Sequence, residues 1–312
     1  MYAVFRKELA DHLNSKRFAI LFVLTLLAAV LAINIAIQNI RSEVTASTPF
    51  IFLKLFTLSG ETVPSFLFFI SLFIPIIGIS LGFDAVNSER TSGNLSRLLS
   101  QPIYRDALIN GKFLAGVAVI AIIVTSVIAI VAGLGLRVIG VPPDPEEVLR
   151  LLVFALVSIV YGAFWMALSV LFSVFFNRAA TSMLASIGLW IFFFFFMSII
   201  AGAIADARVP LDQNSTLEMI TENTRIAGAI GRISPSTLYG EAVGALLTPE
   251  LGSLNMAMLI ISTYVSGRML TPLPFGQSLL LVWPQLVGII ALAAICFAIS
   301  YIRFIKEEIR SI

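Results

Sequence analysis

Charge is missing from the membrane-length stretches of this chain. Six apolar runs, at 18–37, 63–83, 113–136, 151–176, 182–205 and 279–302, contain no Asp, Glu, Lys or Arg. Carriers driven by protons or ions keep ionisable groups near the bilayer midplane, where burying a charge is tolerated only for function. Their absence from the runs weighs against a secondary carrier, so the free energy of any transport is expected to enter from outside the membrane. Cysteine is reduced to Cys296, inside the last run, which excludes an internal disulfide. Histidine is reduced to His12, so no histidine cluster exists to hold a metal. A complete phosphate-binding loop is also missing. The nearest string, Asn110-Gly111-Lys112-Phe113, lacks both the first glycine and the hydroxyl residue that would hold magnesium. No His-Glu-x-x-His and no Gly-x-Ser-x-Gly occurs either, so the chain is expected to carry no catalytic residue and no cofactor. The 20 Lys and Arg are scattered and the net charge is only +2, which offers nothing to nucleic acid.

What is present is apolar: 59% of the 312 residues, against 12% charged, with a mean hydropathy of +1.00. A helix rises about 1.5 Å per residue and a bilayer core is about 30 Å thick, so runs of about 20 residues are spans. The expectation is an all-α membrane protein of six transmembrane helices, one domain over 1–312. The charged lead-in before run 18–37, with no small-residue cleavage site after it, reads that run as a retained span rather than a signal peptide. Twelve of the 20 Lys and Arg fall on the side of the termini and eight on the other, which places both termini in the cytoplasm and the protein in the plasma membrane. Over 1–17, Tyr2, Phe5, Leu9 and Leu13 recur at helical spacing among Arg6, Lys7, Asp11 and Lys16, the pattern of a helix lying in the headgroup plane. Asn34 and Gln285 read as hydrogen-bonding contacts between spans.

The connections hold most of the information. Between spans five and six, residues 206–277 carry amphipathic stretches near Leu217 to Ile230 and Leu254 to Val265, punctuated by Pro235, Pro249, Pro272 and Pro274. They are expected to form a cap or re-entrant helices packed on the spans, with room for an extracytoplasmic partner protein. After span two, residues 84–111 begin Asp84-Ala85-Val86-Asn87-Ser88-Glu89-Arg90-Thr91-Ser92-Gly93-Asn94-Leu95 and continue through Leu98, Leu99 and Pro102. The helix is expected to leave the membrane with Asp84 and Glu89 in water and to break at Gly93. It restarts as a turn showing Leu95, Leu98 and Leu99 on one face, and stops at Pro102. Asp106 then caps the next helix. Such a knob is a docking element, unless its leucines pack back on their own helices.

An aspartate after span two, Glu-Arg-x-x-Gly-x-Leu, Leu-Leu-Ser-x-Pro, then Arg105 and the Gly111-Lys112 pair resemble the signature loop of type-two ABC permeases. The group used in copper-enzyme maturation is similar. Arg6-Lys7-Glu8-Leu9 and the six-span layout extend the resemblance over the chain, while Gly93-Asn94-Leu95 stands where Gly-Thr-Leu is usual. The resemblance implies a membrane-spanning permease that pairs with a second copy or a sister permease. Two ABC ATPase subunits, which carry the ATP and magnesium, would dock beneath it. It further implies a coupling helix built by Asp84, Glu89, Arg90, Gly93, Leu95, Leu98, Pro102, Arg105 and Lys112, braced by Arg6, Lys7 and Glu8. Spans two and five would line the path, here with Phe66, Phe69, Phe73, Trp190, Phe193 and Phe196. A membrane scaffold that binds a partner through 206–277, or a secondary carrier, is the alternative reading.

Overall fold

A computed structural model of the chain describes residues 1–43, 50–60, 63–91, 105–140, 142–212, 215–249 and 272–306. The described residues form helices and connections, with no strand among them. In chain order they are α1 (Tyr2–Leu13), α2 (Lys16–Glu43), α3 (Ile51–Thr57), α4 (Phe66–Gly82), α5 (Asn87–Thr91), α6 (Arg105–Ile139) and α7 (Pro145–Phe175). Helix α8 (Ala179–Ile191) passes through one π turn (Phe192–Phe196) into α9 (Met197–Arg208), followed by α10 (Leu217–Gly231), α11 (Pro235–Leu247) and α12 (Phe275–Lys306). Six stretches are long and apolar enough to cross a membrane: Lys16–Ile40, Phe66–Glu89, Asp106–Val138, Pro145–Phe175, Ala179–Arg208 and Phe275–Lys306. They match the six runs.

Span four, α7, is the centre of the bundle. Phe154, Tyr161 and Trp165 on it are fully buried, and it packs on α4, α6, α8, α11 and α12. Its contact with α4 is close because glycine faces it: a Cβ at Gly78 would lie 2.6 Å from the Gly162 carbonyl oxygen, and one at Gly82 would lie 2.7 Å from that of Met166. Glycines four apart lay one backbone against another, which matters where lipid removes the hydrophobic drive between helices. Ser169 Oγ then donates to the Ile79 carbonyl at 3.1 Å. The outward faces carry exposed Ile20, Leu27, Leu31, Leu152, Leu156 and Leu280, the surface that acyl chains solvate.

The segment between spans five and six folds back into the bundle. The middle of helix α10 lies beside the end of α9, where Asn223 Nδ2 donates to Asp206 Oδ1 and to the Val209 carbonyl, each at 2.8 Å. It runs back along α9 to a tip at Gly231–Ser234. There Ser234 Oγ donates to the Phe193 carbonyl at 3.0 Å, within the π turn, about halfway along span five. Helix α11 returns, capped by Ser234 Oγ, which accepts from the Ser236 and Thr237 amides. Tyr239 stacks on Tyr161 with ring centroids 4.2 Å apart and shares a 2.8 Å hydrogen bond with Ser158, near the middle of span four. Seven residues on, the Leu246 carbonyl accepts from Arg150 near that span's start. The α10–α11 pair is therefore a re-entrant hairpin. The stretch 217–230 is its descending arm; the ascending arm, 235–247, has only Ser236, Thr237 and Glu241 as strongly polar residues, too few to mark it as amphipathic in the sequence; and 254–265 lies outside the described residues.

Arg150 anchors the end from which the hairpin enters. Fully buried, it donates to Glu146 Oε1 (2.7 and 3.1 Å), to the Leu246 and Leu273 carbonyls (2.9 and 2.6 Å) and to Ser278 Oγ (3.0 Å), tying α7 to α11 and α12. Its neighbour Glu147, also buried, accepts from the Phe52 and Leu53 amides and so holds the first turn of α3. As a sequence feature Arg150 was only a loop charge in the count of sides. Its spacing of four from Glu146 was the available signal.

Candidate functional site

The face carrying the two chain ends is built around Lys112. Phe304, near the end of α12, lines one small space with Ala85, Glu89 and Lys112, so the end of α12 meets the loop after span two. Lys112 Nζ donates to Glu8 Oε1 and to Glu89 Oε1, each at 3.1 Å, and all three side chains are nearly enclosed, at 11%, 11% and 14% exposure. One ammonium thus joins three elements: α1, α5 and the start of α6. Two carboxylates around one ammonium leave excess negative charge, which Lys7, 3.5 Å from Glu8, offsets.

Neighbouring contacts fix the same junction. Val4 of α1 sits on Gly111, where a Cβ would come within 2.8 Å of it, so the glycine before Lys112 is what lets α1 lie close enough for the ion pairs. Arg17 Nη1 donates to Asp84 Oδ2 at 2.6 Å and its guanidinium lies 5.2 Å from the centre of the Phe83 ring. From below, Ser173 Oγ of span four accepts from the amides of Val86 and Asn87 at 3.0 and 3.2 Å, which satisfies the first turn of α5 and ties it to the bundle core. Ser173 was missed in the sequence; its only sign was a serine four residues after Ser169 in an apolar run.

Between these groups lies a polar crevice of about 200 Å³, lined by Glu8, His12, Arg17, Asp84, Ser88 and Glu89 among others. A second space of about 110 Å³ adjoins it through His12, Arg17 and Leu81 and reaches Leu21, Ile77 and Ile123 between spans one, two and three. Burial pushes the His12 imidazole below its ordinary value, against the upward pull of Glu8, so it is neutral at pH 7. At Lys7, burial pulls downward, but Glu8 and Asp11 outweigh it and raise the pKa. No three of His, Cys, Asp and Glu come together as metal ligands among the described residues.

The structure changes several expectations for this loop. Span two's α-helix stops at Gly82 and a turn over 83–86 leads into α5; Asp84 and Glu89 line the polar crevice there, and each is paired, with Arg17 and Lys112. An enclosed carboxylate such as that of Glu89 is costly without a partner. Arg90 lies in α5 and Arg105 opens α6, with Asp106 in its first turn rather than at the cap. Gly93, Leu95, Leu98 and Pro102 lie outside the described residues. Arg6 is exposed, with its guanidinium 5.8 Å from the Tyr2 ring centre. Asn34 bonds back to the Val30 carbonyl of its own helix instead of to a neighbouring span, whereas Gln285 does reach across, to Glu241.

The six aromatic residues expected along the path are scattered. Phe66 is fully buried between Phe56 and Phe154, and Trp190 is buried beside Phe194. Phe69, Phe73 and Phe193 are half-buried, and Phe196 is exposed at 52%.

Comparison with known proteins bears on the whole chain. The profile of the family described as ABC-2 family transporter protein matches residues 2–309. A probable ABC transporter permease protein NosY from Pseudomonas aeruginosa is 28% identical over 199 residues, covering 62% of this chain and 66% of the relative. The protein of the same name from Stutzerimonas stutzeri is 29% identical over 124 residues, covering 40% and 41%. The chain spans less than two thirds of the length of either relative.

Proposed function

This chain belongs to the ABC-2 transporter family as a multi-pass membrane subunit, and from that premise we propose that it is the permease of an ATP-driven exporter. Two separate ATPase subunits, which carry the ATP and magnesium, dock on the face that holds the chain ends. A second copy of this chain or a sister permease completes the path. That face is cytoplasmic in this reading, in keeping with its excess of Lys and Arg. When ATP draws the ATPases together, the loop after span two is pushed, and the spans pass between inward-facing and outward-facing packings.

The observation that carries the reading is the shared ammonium of Lys112. A docking loop transmits force only if it is tied to what must move, and Glu89 on that loop is joined through Lys112 to span three and through Glu8 to α1. Ser173 adds a tie to span four. The test uses the full chain copurified with its ATPase. Glu89→Gln is expected to lower transport-linked ATPase stimulation about tenfold, the equivalent of one charge-assisted hydrogen bond of about 1.5 kcal/mol, while the chain stays folded. Stimulation equal to that of the unaltered complex would overturn the coupling role.

A further inference from the structure

The apolar runs contain no Asp, Glu, Lys or Arg, but the re-entrant hairpin brings two such residues to membrane depth. Arg232 lies in the tip, two residues before Ser234, which is bonded to the Phe193 carbonyl halfway along span five. Glu241 lies on α11 between Tyr239, which meets Ser158 near the middle of span four, and Leu246, which meets Arg150 near its start. The guanidinium Nε of Arg232 donates to both oxygens of Glu241, at 3.1 and 3.0 Å, and Gln285 Nε2 of span six donates to Glu241 Oε2 at 3.1 Å.

The two partners are enclosed very differently. Glu241 is 11% exposed and Arg232 49%. The pair uses only Nε, which leaves Nη1 and Nη2, the forked end of the guanidinium that fits an oxyanion with two parallel hydrogen bonds, without a partner among the described residues. Gln285 is 5% exposed, and its Oε1 is buried with no hydrogen-bond partner, a second polar group with an unmet requirement beside the same carboxylate. A half-exposed guanidinium halfway across a bilayer is too costly to leave facing acyl chains. What faces it must supply hydrogen-bond acceptors, and the exposed fork fits an oxyanion best. The adjoining Ile233 is 62% exposed, so the same surface offers apolar contact next to the charge.

We propose that Arg232, held by Glu241 and Gln285, is a membrane-depth subsite for the anionic head group of an amphiphile, a phosphate or carboxylate on an apolar tail. This rests on the transporter reading and narrows its substrate class. Glu241 aims the fork by engaging Nε, and its own negative charge keeps the resting site neutral and the affinity for an anion moderate. A transported molecule must be released as well as bound, and this arrangement allows both.

The test is direct binding to the full chain in phosphatidylcholine nanodiscs, with radiolabelled dodecyl phosphate, dodecanoate, dodecanol and dodecyltrimethylammonium as probes. Saturable binding of one or both anions is expected, and which of the two binds distinguishes a phosphate from a carboxylate ligand. Arg232→Ala should weaken that binding at least about tenfold, as loss of a bidentate charged contact does, and Arg232→Lys should weaken it less. Glu241→Gln should tighten it by removing the competing charge, a gain that misfolding does not produce. Anions bound no better than dodecanol, or binding indifferent to Arg232→Ala and Glu241→Gln, would overturn the assignment. No ATPase is present in this experiment, so its failure leaves the coupling role of Glu89 standing, and failure of the Glu89 test leaves this site standing.

Discussion

Lys112 illustrates how a single side chain acquires a role that its neighbours in sequence do not reveal. In the chain it follows Gly111 at the threshold of span three and is 23 positions from Glu89 and 104 from Glu8. Replacing it with methionine, Lys112→Met, removes an ammonium hydrogen-bonded to both of those enclosed carboxylates. The expected loss is about 3 kcal/mol, in the range for breaking a buried ion pair from one side, and a lower unfolding midpoint of the purified chain measures it. His12 makes the junction sensitive to acid. Its pKa is lower folded than unfolded, so the folded state resists protonation. The stability it contributes is complete above the unfolded value of about 6.5 and is lost as pH falls through the lower folded value. Unfolding midpoints at pH 7.5 and 5.5 should therefore separate more for the unaltered chain than for His12→Gln. Equal separations would show that other groups set the acid response.

At the level of the helix, close approach fixes one of the bundle's main contacts. Span two lies against span four because Gly78 and Gly82 present no side chain to the carbonyls of Gly162 and Met166. Backbone cannot swing aside as a flexible side chain does. Gly78→Leu is therefore expected to cost at least the about 1–3 kcal/mol typical of overpacking, seen as loss of a monodisperse peak in gel filtration. Gly133→Leu, where an added Cβ meets nothing within 4 Å, should be tolerated. The spans themselves were legible because length and apolarity are local properties. The hairpin was half legible: α10 has a polar face and shows itself as amphipathic, whereas α11 buries Tyr239, Ala242, Val243, Leu246 and Leu247 and fills much of its open face with Leu238, Gly240 and Gly244. Its clearest local sign was Ser234-Pro235, a cap followed by proline at the first helical position.

Taken whole, the molecule divides into a charged face at the chain ends and a hairpin entering from the opposite face, with span four touching both through Ser173 and Arg150. The purified chain alone is expected to turn over no ATP, with hydrolysis appearing only when the ATPase subunits are added. Phosphate release with and without those subunits measures this, and activity of the chain alone would contradict the permease reading. Composition and period alone determined the six spans, the all-helical class and the lack of a phosphate-binding loop, because each depends only on residues adjacent in the chain. The motif from Asp84 to Lys112 was likewise readable as a string. Which charges meet was decided by the tertiary structure. Asp84 and Glu89, expected in water, are paired, and a bundle whose apolar runs carry no charge holds the Arg232–Glu241 pair beside the middles of spans four and five. The reason is physical: a charge near the membrane is tolerable only with a partner, and here the partners come from segments far apart in sequence that only folding brings together.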